Sequence, residues 1–138
     1  MKALSVRAPW TWWIMYGEKD IENRGPHFPR NVYGRVLIHQ SKWWRDEEVA
    51  DDHEDAAIMY ERGHQCGLNP MSGIGNIQEW CGCIIGSVEI VDYVTRSRSY
   101  WFQGDVGLVL RNPIMLPKLI PYKGMLGFFN VPDSIVRL

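Results

Sequence analysis

Along this chain, apolar and polar positions switch repeatedly between a period of two and a period near 3.6. Lys2 to Val6 sets Leu4 and Val6 against Ala3 and Ser5 and predicts a short strand. Trp10, Trp13, Ile14 and Gly17 then recur at helical spacing behind Pro9, which suits a first helical position, and Gly17 is expected to supply a left-handed stop. Gly34 to Lys42 returns to alternation, with Val36, Ile38 and Gln40 on one face and Leu37, His39 and Ser41 on the other. From Asp46 to Arg62 the pattern predicts the strongest helix of the chain. Its apolar face is Val49, His53, Ala56, Ala57 and Tyr60, its first turns are acidic, and Gly63 closes it.

Beyond it, His64 to Gly82 is rich in Gly, Asn and Pro, with a helical turn expected only at Ile77 to Trp80. Cys83 to Val94 predicts a long strand whose alternation places Ile84, Val88, Ile90 and Val94 together, opposite Ile85, Ser87, Glu89, Val91 and Tyr93. Val106 to Leu110 and Lys123 to Val131 add two strands, separated by a proline-punctuated crossing from Pro113 to Pro121. Five or six strands with helices mainly in the first two thirds imply an α+β fold: a small closed or nearly closed β-barrel, mostly antiparallel, with flanking helices. No repeat or low-complexity tract interrupts it.

Composition fits one domain over residues 1–138. The chain has 138 residues, 46% apolar and 22% charged, which suffices for one sizeable core. Apolar runs stay short of the roughly 18 residues that span a bilayer, and Met1 to Pro9 holds no signal-peptide apolar region, so a cytoplasmic location without membrane partners is expected. Three cysteines give no even disulfide framework. His64, Cys66, Cys81 and Cys83 hold zinc-type donor atoms, but C-x-C is a weaker signal than C-x-x-C and Cys83 opens an apolar strand, so buried thiols are the preferred reading and no metal or cofactor is expected.

The net charge of −1 conceals a marked segregation. Lys2 to Arg45 holds eight Lys and Arg against three acids, a surplus of +5, whereas Asp46 to Glu61 holds eight acids and no Lys or Arg. Outside that acidic segment the body carries +7, a balance compatible with phosphate binding and equally with scattered solvating charge. The tryptophans at Trp10 to Trp13 are chiefly core material. Trp101 and Phe102 are candidates for base stacking with core packing the default, and the same default holds for Trp43 and Trp44, one of which is expected to face outward.

The densest polar set lies in the first forty-two residues: Arg7, Trp10, Lys19, Glu22, Arg24, His39, Ser41 and Lys42. In a domain this small, the elements carrying them must be neighbours, so their polar ends can meet in one cleft. In a regular strand Glu22 and Arg24 share a face while Lys19 points away, so the chain must bend near Asp20 if all three converge. Lys19 and Arg24 would then neutralise a phosphate or carboxylate, and Glu22 would accept a hydrogen bond from a base amino group. The competing reading is a Glu22 and Arg24 ion pair that merely pins the strand.

The ordered segments Leu4-Ser5-Val6-Arg7-Ala8-Pro9-Trp10, Gly17-Glu18-Lys19-Asp20-Ile21-Glu22-Asn23-Arg24, Gly34 to Lys42 and Gly86 to Asp92 together resemble the ASCH family. The resemblance implies a PUA-like barrel related to RNA-binding domains. Its cleft, between barrel and first helix, holds the G-x-K-x-x-E-x-R motif, here Gly17, Lys19, Glu22 and Arg24. Ala8 departs from the pattern, since many relatives carry Gln there. The expected function is binding of RNA, single-stranded nucleic acid or a modified nucleoside. Because some bacterial members deacetylate 4-acetylcytidine, the alternative is an amidohydrolase using Lys19 and Glu22. Those enzymes have Thr where this chain has Glu22, and a carboxylate cannot replace a Thr nucleophile. Glu89 is a candidate third member. A metal-independent ribonuclease using Lys19, Glu22 and His39 ranks behind both.

Overall fold

A computed structural model describes residues 1–63 and 77–136. The fold is α+β. Among those residues, six strands form one sheet: β1 (Lys2–Val6), β2 (Ile21–Arg24), β3 (Gly34–Gln40), β4 (Cys83–Val94), β5 (Val106–Pro121) and β6 (Phe128–Asn130). Two α-helices, α1 (Trp10–Tyr16) and α2 (Asp46–Gly63), and a 3-10 turn at Ile77–Trp80 flank it. The strand order is β2-β5-β4-β3-β1-β6, and only β1 against β3 is parallel. The sheet curls into a half-barrel whose two end strands do not pair with each other. No helix among the described residues is long and apolar enough to cross a membrane.

Three clusters of side chains make up the core, one of them Ala3, Leu37, Ile84, Leu116, Phe129, Val131 and Val136. Leu4, Val6, Ile14, Val36, Ile38, Ile85, Val88, Ile90 and Leu108 pack inside the curl. Trp12, Trp13, Val49, Ala56, Met59, Ile77 and Trp101 pack α1 and α2 against its end. The helices are held by polar bonds as well: Thr11 donates to Gln40 Oε1 at 2.5 Å, and Gln40 donates to the Ile77 carbonyl at 2.9 Å. Gln40 is fully buried, so this chain of bonds ties α1, β3 and the 3-10 turn into one unit.

Three details differ from simple periodicity. First, strict alternation in β4 joins Ile84 to Val88, yet Ile85, Val88 and Ile90 share a cluster while Ile84 belongs to another. β4 slips at Ile85 against both neighbours, β3 pairing Ile38 with Gly86 but His39 with Ile84, and this one slip shifts the parity of the strand; its pairing with β5 slips again between Ser87 and Glu89 and between Ile90 and Asp92. Second, Pro113 to Pro121 is not a crossing but the second half of β5. Beyond Leu110, whose N–H still reaches the Asp20 carbonyl, β4 is the only strand partner of β5 among the described residues, so residues lacking an N–H are tolerated there. Third, the last strand contracts to Phe128–Asn130, and Gly124 to Gly127 form a loop instead.

The end of α1 matters most for the site. Gly17 is not left-handed (φ −102°), and the positive φ belongs to Glu18, at 60°. Glycine is required at 17 for space, because a Cβ there would lie 2.2 Å from Trp13 Cε3. The Trp13 carbonyl accepts both the Gly17 N–H, at 2.9 Å, and the Lys19 N–H, at 3.0 Å. Lys19 therefore precedes the regular strand, and the kink at Glu18 supplies the bend that convergence with Glu22 demands.

Candidate functional site

A cleft of about 670 Å³ opens where the curled sheet fails to close. β2 forms one wall, and the ends of β1 and β3 form the opposite wall through Ser5, Val6, Arg7 and Ser41. Trp10 of α1, Met59 of α2, the segment from Trp101 to Asp105 and the loop tip at Leu126 and Gly127 complete it. Its size falls within the roughly 300–1,000 Å³ usual for small-molecule sites.

Lys19, Glu22 and Arg24 meet along one side. Glu22 Oε1 lies 3.4 Å from Lys19 Nζ, and Oε2 accepts from Arg24 Nη2 at 3.0 Å. Lys19 also donates to the Ile21 carbonyl and sits 5.5 Å from the centre of the Trp10 ring. Arg24 donates to the Ser5 carbonyl at 2.7 Å, crossing the gap from β2 to β1. Lys19 is 3% exposed and Glu22 7%, so the cluster is taken largely out of water. The Glu22 and Arg24 pair does pin the strand, but it does so inside a concavity with a third charge beside it.

Burial pushes the Lys19 ammonium below its ordinary pKa even though Glu22 opposes the shift. For Glu22, burial acts upward, but the charges of Lys19 and Arg24 together outweigh it and hold the carboxyl below its ordinary range. Glu22 is thus an acceptor at neutral pH, with lone pairs left over after its two cationic contacts. The Ser41 hydroxyl lines the same cleft, buried and without a hydrogen-bond partner.

Arg7 reaches the cleft from β1 but is held by α2, 2.6 Å from Glu48 and 3.7 Å from Asp52. The acidic helix thereby sets two carboxylates against Arg7, a residue of the cleft lining. Burial raises the Asp52 carboxyl, against the pull of Arg7, whereas the hydrogen bond from Arg7 lowers Glu48.

The structure gathers Arg7, Trp10, Lys19, Glu22, Arg24 and Ser41 around this cleft but not His39 or Lys42. β3 ends at Gln40, so Ser41 leaves the alternation that would have put it beside His39. His39 is buried on the far side, its Nε2 2.7 Å from the Tyr122 carbonyl. Gly124 packs on that imidazole so closely that a Cβ would lie 2.4 Å from Cε1. His39 thus supports the loop that ends in Leu126. Lys42 is exposed and lays its aliphatic stem over Gly82. Glu89 does not line the cleft either: it pairs with Arg35 at 2.9 Å. Trp101 is buried in the core and reaches the cleft only as wall. Of the candidate zinc ligands, Cys81 and Cys83 carry free thiols, while His64 and Cys66 lie outside the described residues.

Sequence reasoning missed Asn23, inside the motif itself. Its Nδ2 donates to the Trp101 carbonyl and its Oδ1 accepts from the Gln103 N–H, both at 2.8 Å, fastening the 101–105 wall to β2. An Asn amid a strand, where it is a poor former, was the available signal.

Behind the cleft, His53 accepts from Trp13 Nε1 at 2.9 Å, which leaves the ring proton on Nε2. Burial lowers its pKa below the ordinary 6.5. The folded state thus resists a proton that the unfolded chain accepts, so stability contributed above pH 6.5 is lost as pH falls through the folded value. Urea unfolding between pH 7.5 and 5 is expected to show this decline. His53→Gln, which keeps an acceptor for Trp13 without titrating, should flatten it; an unchanged slope would assign the decline to other groups.

Comparison with known proteins adds no further assignment: no family model matches the chain, and no curated protein matches it.

Proposed function

We propose that this chain is a PUA-like domain of the ASCH type that binds RNA, another single-stranded nucleic acid or a modified nucleoside in the cleft beside α1. The reading rests on one observation: an ammonium, a carboxylate and a guanidinium converge on a hollow walled by Trp10, beside an unpartnered Ser41 hydroxyl. Such a set complements the edge of a nucleobase. Glu22 accepts from an exocyclic amino group, Lys19 and Arg24 donate to a carbonyl or ring nitrogen, and Trp10 offers an apolar surface to the ring. Arg24 can meet a phosphate, and Arg7 can do so by exchanging Glu48 for it.

The test is RNA binding measured across a salt series. Affinity should fall steeply as salt rises, and Arg24→Ala, with its fold verified by circular dichroism, should bind about 5- to 100-fold more weakly. Binding that ignores salt, or that survives Arg24→Ala intact, would remove the proposal.

A second reading is favoured by the lowered pKa of Lys19. An amine relieved of part of its proton affinity can act as a general base, as an amidohydrolase acting on 4-acetylcytidine-type nucleosides would require. Release of cytidine from 4-acetylcytidine, lost in Lys19→Ala, would support that reading; no product at high protein concentration would dismiss it.

A further inference from the structure

Five residues, Ser41-Lys42-Trp43-Trp44-Arg45, join β3 to α2, and two of them, Ser41 and Trp43, line the cleft. Their two tryptophans have different fates. Trp44 donates its indole N–H to Asp46 at 2.6 Å and packs with the α1 and α2 cluster, which accounts for it structurally. Trp43 lines the cleft yet remains 55% exposed. The Arg45 guanidinium stands 6.0 Å from its ring centre. A large apolar ring kept in water at the cleft, with a cation over one face, offers its other face to a planar partner. Leu126, 98% exposed, lines the same cleft from the loop propped by His39.

We propose that the ligand of the cleft is a strand of nucleic acid rather than a free nucleoside: one base enters beside Lys19, Glu22 and Arg24, and its neighbour stacks on Trp43. This inference rests on the nucleic-acid reading above and narrows it. Charge supports the choice of occupant, because Lys42 and Arg45 are exposed on either side of the two tryptophans and can meet the phosphates that link successive bases. An isolated nucleoside would leave both the ring and these cations unused. Stacking tolerates any base, so the rim would add affinity without adding sequence choice, while the hollow supplies the choice.

The experiment compares a labelled random-sequence RNA pentamer with a mixture of the four ribonucleoside 5′-monophosphates as competitor, at low and at moderate salt. The wild-type chain should bind the pentamer at least tenfold more tightly. Trp43→Ala should weaken pentamer binding about 5- to 150-fold and collapse that advantage, whereas Trp43→Phe should keep most of it. A DNA pentamer run in parallel identifies the sugar. If Trp43→Ala binds the pentamer as well as wild type does while Arg24→Ala fails to bind it, the rim subsite is wrong and the nucleic-acid reading stands. If the wild-type chain binds neither pentamer nor monophosphates, even at low salt, both fall together.

Discussion

Glu22→Ala is expected to lower folding stability by about 3–5 kcal/mol, because it strands the buried Lys19 ammonium without its carboxylate. Lys19 lies 3.4 Å from Glu22 and is 3% exposed, so water cannot readily replace the lost partner. The double variant Lys19→Met with Glu22→Leu should be much closer to wild type, since it removes both charges and fills their volume, and Arg24 keeps the Ser5 carbonyl. The single variant should also regain stability as pH rises. Its folded state favours neutral lysine more strongly than the unfolded chain does, so the unfolded chain binds the extra proton until pH approaches the ordinary 10.5. Urea titrations at pH 7 and pH 10 check both statements. A Glu22→Ala variant as stable as wild type at pH 7 would show that the cluster is hydrated in solution.

The second large effect is expected at Trp13, whose replacement by alanine should cost about 3–5 kcal/mol. Its ring is fully buried, with the Trp101 ring centre 5.6 Å away, Tyr60 at 5.7 Å and His53 at 5.2 Å. The substitution opens a cavity and leaves His53 Nδ1 without its donor. The turn from Gly17 to Lys19 hangs on the Trp13 carbonyl and packs against its ring, so the loss should reach the cleft. Denaturant unfolding measures the cost, and Trp13→Phe, which fills part of the volume but donates no hydrogen bond, should fall between the two. A loss below about 1 kcal/mol in Trp13→Ala would mean that the two helices do not depend on this residue.

Much of the architecture was legible because periodicity and burial agreed. β1 and β4 begin and end at the residues expected, and α2 differs by one residue at its end. What pattern reading lost were consequences of backbone irregularity. The slip at Ile85 in β4 exchanged the faces of Ile84 and Ile85, and no side-chain period announces a bulge. Prolines in β5 looked like a crossing because their tolerance depends on a missing neighbour, which is a property of the sheet and not of the segment. In the candidate site, the bend that brings Lys19 to Glu22 could be required from the sequence, but not the residue that makes it. The left-handed conformation fell on Glu18, since Gly17 is occupied with admitting the Trp13 ring. His39 was misplaced for the simple reason that its strand ends one residue later, before Ser41.

Because Arg24 of β2 reaches across the gap to the Ser5 carbonyl of β1, a molecule lodged there would work as a keystone in an unfinished arch. Occupancy would couple two ends of the sheet that share no ladder of backbone bonds, and amide exchange in both strands should slow together. The melting temperature then becomes a way to rank candidate compounds before any assay of their chemistry exists.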